Sequence, residues 1–356
     1  MSLRTVAIDA RLVAGTSTGD SSYWSGLVDG LSKLDDDLNY LLISNADRPA
    51  TIPESQKIRW IRVDSRSGRW WSLVAFPLAA RRLKAGAIHT QYSLSPLVGN
   101  RGITTIHDVS FFIGPEWFKP RDRAILTRTV PAAAKLAKRI IAVSETSAKE
   151  IQHYVPAALG KVRPIHNGLP PWVKRVEDPA PILSRLGVPP DFLLTVGTQW
   201  PRKNMKLAID AAALVSEMPL VITGKPGWGE QAKTGTIPVG YVSNEDLCAL
   251  YSGAALYLAP SRHEGFGIPI IEAFACGCPV LCSTGGALPE VAGDAAVVEP
   301  TWEPAHWAKS IHGLLGDSSK LSDLRQRGFE RVKQFDWLES AKQTTEVYRE
   351  VLDDRP

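Results

Sequence analysis

A chain of 356 residues, 44% hydrophobic and 22% charged with a net charge of +4, is ordinary for a soluble globular protein and too long for one core, so two domains are expected. No run of eighteen apolar residues occurs, which argues against a spanning helix. Met1 to Thr5 leads straight into Val6-Ala7-Ile8 without the pattern of a secretory signal, so the expected location is the cytosol.

In chain order, the first half alternates short β-branched runs with segments of helical spacing. Val6–Ile8, Tyr40–Ile43, Ile58–Val63, Ala87–Thr90, Ile103–Ile106, Ile140–Val143 and Val162–Ile165 predict strands, and Tyr23-Leu27-Leu31-Leu34 and Leu126-Val130-Leu136 predict helices between them. The second half repeats the plan with strands at Leu193–Val196, Leu220–Ile222, Pro238–Val242, Leu256–Ala259, Val280–Cys282 and Ala296–Val298. Such alternation predicts an α/β fold of two Rossmann-like domains with mostly parallel sheets. Proline-rich sequence from Asn167 to Pro181 suits a linker. The domains are therefore placed at 1–170 and 171–336. A last helix at 337–356, with its apolar stripe at Leu338, Ala341, Thr345, Tyr348 and Leu352, is expected to pack on the first domain.

Several charged and cysteine clusters have plain readings. Four cysteines do not make a disulfide framework. Cys276, Cys278 and Cys282 lack a paired C-x-x-C arrangement, and alternating Cys278, Val280 and Cys282 predict buried strand thiols rather than metal ligands. From Trp117 to Arg139 the chain carries seven cations against Asp122 alone. That face is either a solvated helix surface or one drawn to anionic lipid or a phosphorylated acceptor. The segment Arg69 to Phe76, followed by Arg81, Arg82 and Lys84, is either a buried helix or an amphipathic surface suited to peripheral membrane contact. Asp35-Asp36-Asp37 reads as a solvated turn. No nucleic-acid module and no dinucleotide fingerprint is present, so neither nucleic acid nor nicotinamide is an expected partner.

Three strand-to-helix junctions are suited to an anionic ligand. The first, Gly15 to Gly19, supplies a glycine turn before a helix start. In the second, Arg202 and Lys203 follow the strand that ends at Val196 and precede the helix Leu207–Leu214, where adjacent cations oppose the helix dipole unless an anion such as a diphosphate meets them. In the third, Ser261 to Ala273, two glycines and Pro269 open a helix whose first N–H groups, near Gly267 and Ile268, suit phosphate. Glu264 and Glu272 flank that helix start; carboxylates oppose phosphate and suit the hydroxyls of a sugar.

These residues resemble the retaining glycosyltransferases of family four, which have the GT-B fold of two Rossmann-like domains facing each other across a cleft, with the C-terminal helix crossing back to the first domain. The resemblance runs through Ile8-Asp9-Ala10-Arg11, Ile106-His107-Asp108, Val143 to Ser147, His166-Asn167-Gly168, Gly197 to Asn204, Gly240-Tyr241-Val242 and Glu264 to Glu272. It implies catalytic roles for His107, Glu264, Arg202 and Lys203, with the cations on the donor diphosphate and Glu264 on the transferred sugar. It further implies donor binding by Gly19, by Phe266, Gly267 and Ile268 through their N–H groups, by backbone at Tyr241 and Val242, and by Glu272 on the ribose. Asp20 stands where many relatives carry an apolar residue, and with Asp108 it is assigned to the acceptor side.

The implied activity is metal-independent transfer of a hexose from a nucleotide sugar, with no cofactor. Mannose from GDP-mannose is the first expectation, and the acceptor is a glycan or lipid-linked saccharide of polysaccharide biosynthesis. Other readings stay open: a GT-B enzyme such as a sugar-nucleotide epimerase or a phosphorylase, or a non-catalytic protein that binds sugar nucleotide.

Overall fold

The computed structural model describes residues 4–13, 19–52, 55–65, 67–215, 218–227 and 235–354. The chain forms two compact units, Met1–Gly168 with Asp336–Pro356, and Leu169–Phe335. Each is a Rossmann-like α/β unit with a parallel sheet.

The first unit holds β1 (Thr5–Asp9), β2 (Asn39–Ser44), β3 (Ile58–Arg62), β4 (Ala87–Gln91), β5 (Gly102–Ile106), β6 (Arg139–Ala142) and β7 (Val162–Pro164), in the order β3-β2-β1-β4-β5-β6-β7. All neighbours pair in parallel. Helices follow the strands and cover the sheet, so its central strands are apolar along their length rather than alternating: Val6, Ala7, Ile8, Ile103 and Ile106 are all buried. The segment from Arg69 to Phe76 has a buried and an exposed side. Trp71 and Phe76 are buried in the core while Trp70 and Leu73 are about half exposed.

The last helix, Trp337–Asp353, belongs to this first unit. Its apolar stripe lies against the helix Gly19–Lys33, and Trp337 sits in a seat made by three glycines. A Cβ on Gly26 would stand 2.0 Å from the Trp337 ring, one on Gly30 2.3 Å from the Trp337 carbonyl oxygen, and one on Gly168 2.3 Å from its amide nitrogen. Charges clasp the other end: Glu350 pairs with Arg139 and Arg163, Asp353 with Arg4, and Asp354 with Lys138. Asp37, read from the sequence as part of a solvated turn, pairs with Arg4 and with Arg349 of the last helix.

The second unit holds β8 (Leu193–Val196), β9 (Leu220–Thr223), β10 (Thr236–Gly240), β11 (Leu256–Ala259), β12 (Val280–Ser283) and β13 (Val297–Glu299), in the order β10-β9-β8-β11-β12-β13. Its core packs Leu193, Leu220, Ile222, Leu256, Leu258 and Leu281 against Trp307 and Ile311. All four cysteines are buried and free. The strand expected at Pro238–Val242 ends earlier, at Gly240, whose positive φ of 69° turns the chain and leaves Tyr241 and Val242 beyond the sheet.

Each sheet has one place where successive strands change direction of growth, between β1 and β4 and between β8 and β11. Loops that leave the carboxyl ends of such a pair diverge and leave room for a ligand. That topology places the candidate sites.

The Trp337 seat makes a testable demand. Gly30→Ala puts a methyl against main chain that cannot turn aside, and should lower stability by about 1–3 kcal/mol. Gly313→Ala, in the helix Pro304–Leu315 with nothing within 4 Å of the new methyl, should be neutral or stabilising by up to about 1 kcal/mol. Chemical denaturation of both variants checks the contrast.

Candidate functional site

In the second unit, the chain leaving β8 makes a short turn at Pro201–Lys203 and passes through left-handed Asn204 before the helix Met205–Ala213. The chain leaving β11 runs beside it. The Asn204 side chain donates to the Pro260 carbonyl (3.2 Å), and the Arg262 amide donates to the Arg202 carbonyl (2.8 Å). This stitching brings three charged side chains together. Arg202 Nη1 donates to Glu264 Oε2 at 2.9 Å and to the His263 carbonyl at 2.5 Å, and Lys203 Nζ donates to Glu264 Oε1 at 2.7 Å. Burial alone would lift the Glu264 pKa, but Lys203 and Arg202 outweigh it and hold the carboxyl well below its usual range. Two cations thus share one carboxylate, and the cluster keeps a net positive charge.

Two glycines shape the surroundings. Gly267, at φ +107°, precedes the helix Ile268–Ala275, which has Pro269 in its first turn. Gly286, at φ +61° in the loop after β12, lies so close to Glu264 that a Cβ there would stand 2.3 Å from the Glu264 carbonyl oxygen. The Ala287 amide donates to that same oxygen at 2.9 Å. Sequence reading passed over this loop, although a glycine pair just past a strand was the available signal. Phe266 is buried, as is Glu272 one turn into the helix.

Glu272 accepts a hydrogen bond from Tyr251 Oη at 3.1 Å. With no cation bonded to it, burial pushes its pKa up to about 7. Tyr251, on the helix Asn244–Gly253, was not foreseen as its partner; nothing in the spacing marks it. Beyond β10, the Tyr241 ring is 56% exposed with Lys225 Nζ 5.0 Å from its centroid, and Val242 is half-buried beside it. Among the described residues, no group of three or more His, Cys, Asp or Glu side chains is arranged to hold a metal ion.

In the first unit, Gly19 opens the helix Gly19–Lys33 with Asp20 in its first turn. The loop residues Gly15 to Thr18 lie outside the described residues. His107 directly follows β5. Its ring meets Tyr23 edge-on at 4.9 Å and lies 5.6 Å from the Tyr92 ring. His107 Nε2 is shielded from solvent, has no hydrogen-bond partner among the described residues, and stands 3.7 Å from Asp20 Oδ1. Burial lowers the His107 pKa despite the opposing pull of Asp20 and Asp108, so the imidazole is neutral near pH 7. Asp108 Oδ1 accepts from the amide (2.9 Å) and hydroxyl (2.6 Å) of Ser110, at the start of a short helix.

Behind His107 runs a buried polar chain. Tyr23 Oη bonds Thr105 Oγ1 (2.9 Å), Thr105 Oγ1 bonds His89 Nε2 (2.8 Å), and His89 Nδ1 bonds Tyr348 Oη of the last helix (2.8 Å). Burial drives the His89 pKa down to about 3, so it stays neutral at any ordinary pH. The structure thus gathers Arg202, Lys203, Glu264, Gly267 and Ile268 in the second unit and Asp20 with His107 in the first.

The two second-unit glutamates should respond to pH with opposite sign. Below its ordinary value of 4.5, Glu272 is protonated folded or unfolded; between 4.5 and 7 only the folded chain holds the proton, so stability is lost as pH rises through 7. Glu272→Gln should therefore gain on wild type as pH rises from 5 to 8. Glu264 contributes stability above about 4.5 that is lost as pH falls, so Glu264→Gln should lose its disadvantage in acid. Urea unfolding across pH 3–8 measures both, and parallel curves for all three proteins would refute the assignments.

Comparison with known proteins covers both units. Residues 23–172 match the family described as Glycosyltransferase Family 4, and residues 184–331 the family described as Glycosyl transferases group 1. The chain is 33% identical over 271 residues to O-antigen chain mannosyltransferase B of Escherichia coli, an alignment covering 70% of each protein. It is 29% identical over 243 residues to a D-inositol 3-phosphate glycosyltransferase of Streptomyces bingchenggensis, covering 61% of this chain and 53% of that protein. Among solved structures it resembles a sucrose-phosphate synthase from Thermosynechococcus elongatus, with a TM-score of 0.77, 20% identity and coverage of 99% and 100% of the two chains. It also resembles Anabaena HepE in complex with UDP and glucose, with a TM-score of 0.72, 20% identity and coverage of 97% and 98%. At 20% identity these two likenesses concern the fold.

Proposed function

The chain belongs to the family-four glycosyltransferases of the GT-B fold, and from that premise we propose that it transfers a hexose, with retention, from a nucleoside diphosphate sugar to a saccharide acceptor. The observation that carries this reading is the Arg202–Glu264–Lys203 cluster beside the helix start at Gly267.

In the proposed reaction the acceptor hydroxyl oxygen bonds to the anomeric carbon as the bond from that carbon to the diphosphate oxygen breaks. The bonding pair leaves with the diphosphate, whose oxygen takes the acceptor's proton. Arg202, Lys203 and the N–H groups of Gly267 and Ile268 meet the charge that develops on the leaving group. Glu264 has more acceptor capacity than its two cations use, since an ionised carboxylate has about four lone-pair sites; the spare sites take hydroxyls of the transferred sugar. Glu272 takes the ribose hydroxyls, and the Tyr241–Val242 backbone the base. His107 and Asp108 serve the acceptor side. The net positive charge of the Arg202–Glu264–Lys203 cluster, together with the N–H groups of the helix start, meets the diphosphate in this reading, so no metal is required.

Mannose from GDP-mannose is the proposed donor, supported by the similarity to a mannosyltransferase of O-antigen chains. The acceptor is then a growing or lipid-linked glycan of polysaccharide biosynthesis. No helix among the described residues is long and apolar enough to cross a membrane. Contact with a membrane-borne acceptor is proposed to be peripheral, through exposed Trp70 and Leu73 beside Arg69.

A nucleotide-sugar panel tests the reading, scored by acceptor-dependent release of nucleoside diphosphate with and without chelator. Lys203→Ala and Glu264→Ala should each lower kcat/KM about a hundredfold or more, and chelator should have no effect. Wild-type turnover by both variants would overturn the roles, and loss of activity to chelator the metal independence.

A further inference from the structure

Nothing in the transfer reading uses the cysteines, and two of the four are placed together. Cys248 lies in the helix Asn244–Gly253, and Cys276 directly follows the helix Ile268–Ala275. Both sulfurs sit against residues 172–174, near the start of the second unit. The Lys174 amide donates to Cys248 Sγ at 3.5 Å, Cys248 Sγ lies 3.9 Å from the Trp172 carbonyl oxygen, and Cys276 Sγ lies 3.9 Å from the Lys174 carbonyl oxygen. The two thiols also share a hydrogen bond.

We propose that Cys248 and Cys276 form a reversible disulfide when the protein meets hydrogen peroxide, and that this bond weakens its hold on a nucleoside diphosphate. The second half rests on the transfer reading, which puts Glu272 on the ribose; the first half does not.

The two thiols are not equivalent. The Cys276 thiol and the Lys174 amide both donate to the Cys248 sulfur, which favours its thiolate and brings its pKa down, while Cys276 is pushed up. A thiolate favoured in this way beside a second thiol is the arrangement of an attacking and a resolving cysteine. Cys278 and Cys282 lack it, and burial pushes each up to about 12, as in an inert structural thiol. Hydrogen peroxide suits the pair because both thiols are buried and the oxidant is little larger than water.

In the first step the Cys248 thiolate sulfur bonds to one peroxide oxygen as the O–O bond breaks. The released hydroxide takes up the proton that Cys248 gave up, leaving one water and a sulfenic acid. The Cys276 sulfur then bonds to the Cys248 sulfur as the S–O bond breaks, and its proton leaves with the hydroxide as a second water. Two thiols are thus oxidised to one disulfide, and one peroxide is reduced to two waters. A small dithiol reverses the step by exchange.

Helix spacing carries the change to the donor side. Cys248 and Tyr251 lie one turn apart on one helix, and Glu272 and Cys276 one turn apart along the other. Tyr251 bonds Glu272 at 3.1 Å, so the thiol pair and the tyrosine–glutamate pair form two rungs between the same helices. An S–S bond of about 2.05 Å is shorter than any hydrogen bond between the same sulfurs. Closing the first rung therefore draws the helices together at one end and shifts the second rung, with Glu272 on it. A misplacement of about 1 Å in a group that positions substrate costs up to about a hundredfold.

The test treats the reduced protein with hydrogen peroxide, maps disulfides by mass spectrometry of non-reduced peptides, and measures Kd for GDP and UDP. A peptide linking Cys248 to Cys276 should appear in wild type and vanish with dithiothreitol, while Cys278 and Cys282 stay free. The Kd of the nucleotide that binds reduced wild type should rise about tenfold on oxidation and return on reduction. Cys276→Ala, with no resolving thiol, should form no link, hold Cys248 as a sulfenic acid that dimedone traps, and show a smaller rise in Kd. Absence of the linked peptide from folded, peroxide-treated wild type overturns the inference. So does an unchanged Kd in fully linked protein, or an equal rise in Cys276→Ala. Should neither nucleotide bind the reduced protein, the transfer reading fails with the effect on Kd, and the peptide map alone upholds or overturns the disulfide.

Discussion

Taking a carboxylate out of water costs several kcal/mol unless its charge is met, and in the second unit the Glu264 charge is met twice, by Lys203 and Arg202. The arrangement depends on two loops keeping a fixed relation. Backbone and side-chain bonds between the turn after β8 and the chain after β11 set that relation, and Gly286 and Ala287 close on Glu264 from the loop after β12. Were any of these loops to drift, the carboxylate would sit buried beside cations it no longer touches. The cluster is therefore both a constraint on folding and a prearranged charge, and an anion arriving there finds cations that need not be assembled at the moment of reaction.

The two units hold their titratable groups in different states. Glu264 is ionised at every ordinary pH, Glu272 titrates near 7, and the imidazoles of His107 and His89 are neutral. One cause, burial, acts on all four, and only the presence or absence of a bonded counter-charge separates them. Glu264 has two cations bonded to it; Glu272 has a tyrosine hydroxyl, which offers a hydrogen bond without charge. A partner that donates several hydrogen bonds to Glu272 would favour its ionised form, so binding of such a ligand and loss of that proton are coupled. The first unit offers a neutral imidazole beside the carboxylates of Asp20 and Asp108, which fits the handling of hydroxyls rather than phosphates.

Much of the fold was legible because parallel strands buried on both faces must be short β-branched runs, as at Val6–Ile8 and Leu220–Ile222. The stripe of the last helix was legible for the same reason, since a helix with one apolar face needs a surface to cover. The strand at Pro238–Val242 was placed too far along because Val242 continues an apolar pattern, whereas Gly240 adopts a backbone that ends the strand. In the site, the residue types announced a diphosphate and hydroxyl chemistry, but not the partnership of Glu264 with both cations. That contact joins residues about sixty positions apart and exists because β8 and β11 are neighbours, a fact of sheet order that spacing does not carry. Tyr251 with Glu272 was hidden likewise, and so was the pairing of Asp37, which is exposed as its acidic run suggested, with Arg349 of the last helix.

That last helix explains why the first unit is not a continuous stretch of chain. Its Tyr348 is fully buried and bonds His89, which a neutral ring requires if neither nitrogen is to be left wanting in the core. Through Thr105 and Tyr23 the same chain of contacts reaches the ring of His107. The residues that hold the His107 imidazole in place are thus contributed by both segments of the first unit, with the whole second unit between them in sequence. A chain that ended at Phe335 would leave the three-glycine seat empty, and the clasping cations Arg139 and Arg163 without Glu350. It would also leave His89 Nδ1 without its partner in an apolar interior. The first unit's order around His107 therefore depends on synthesis of the second being complete, so the first unit does not acquire its full polar network before the chain that builds the second has been made.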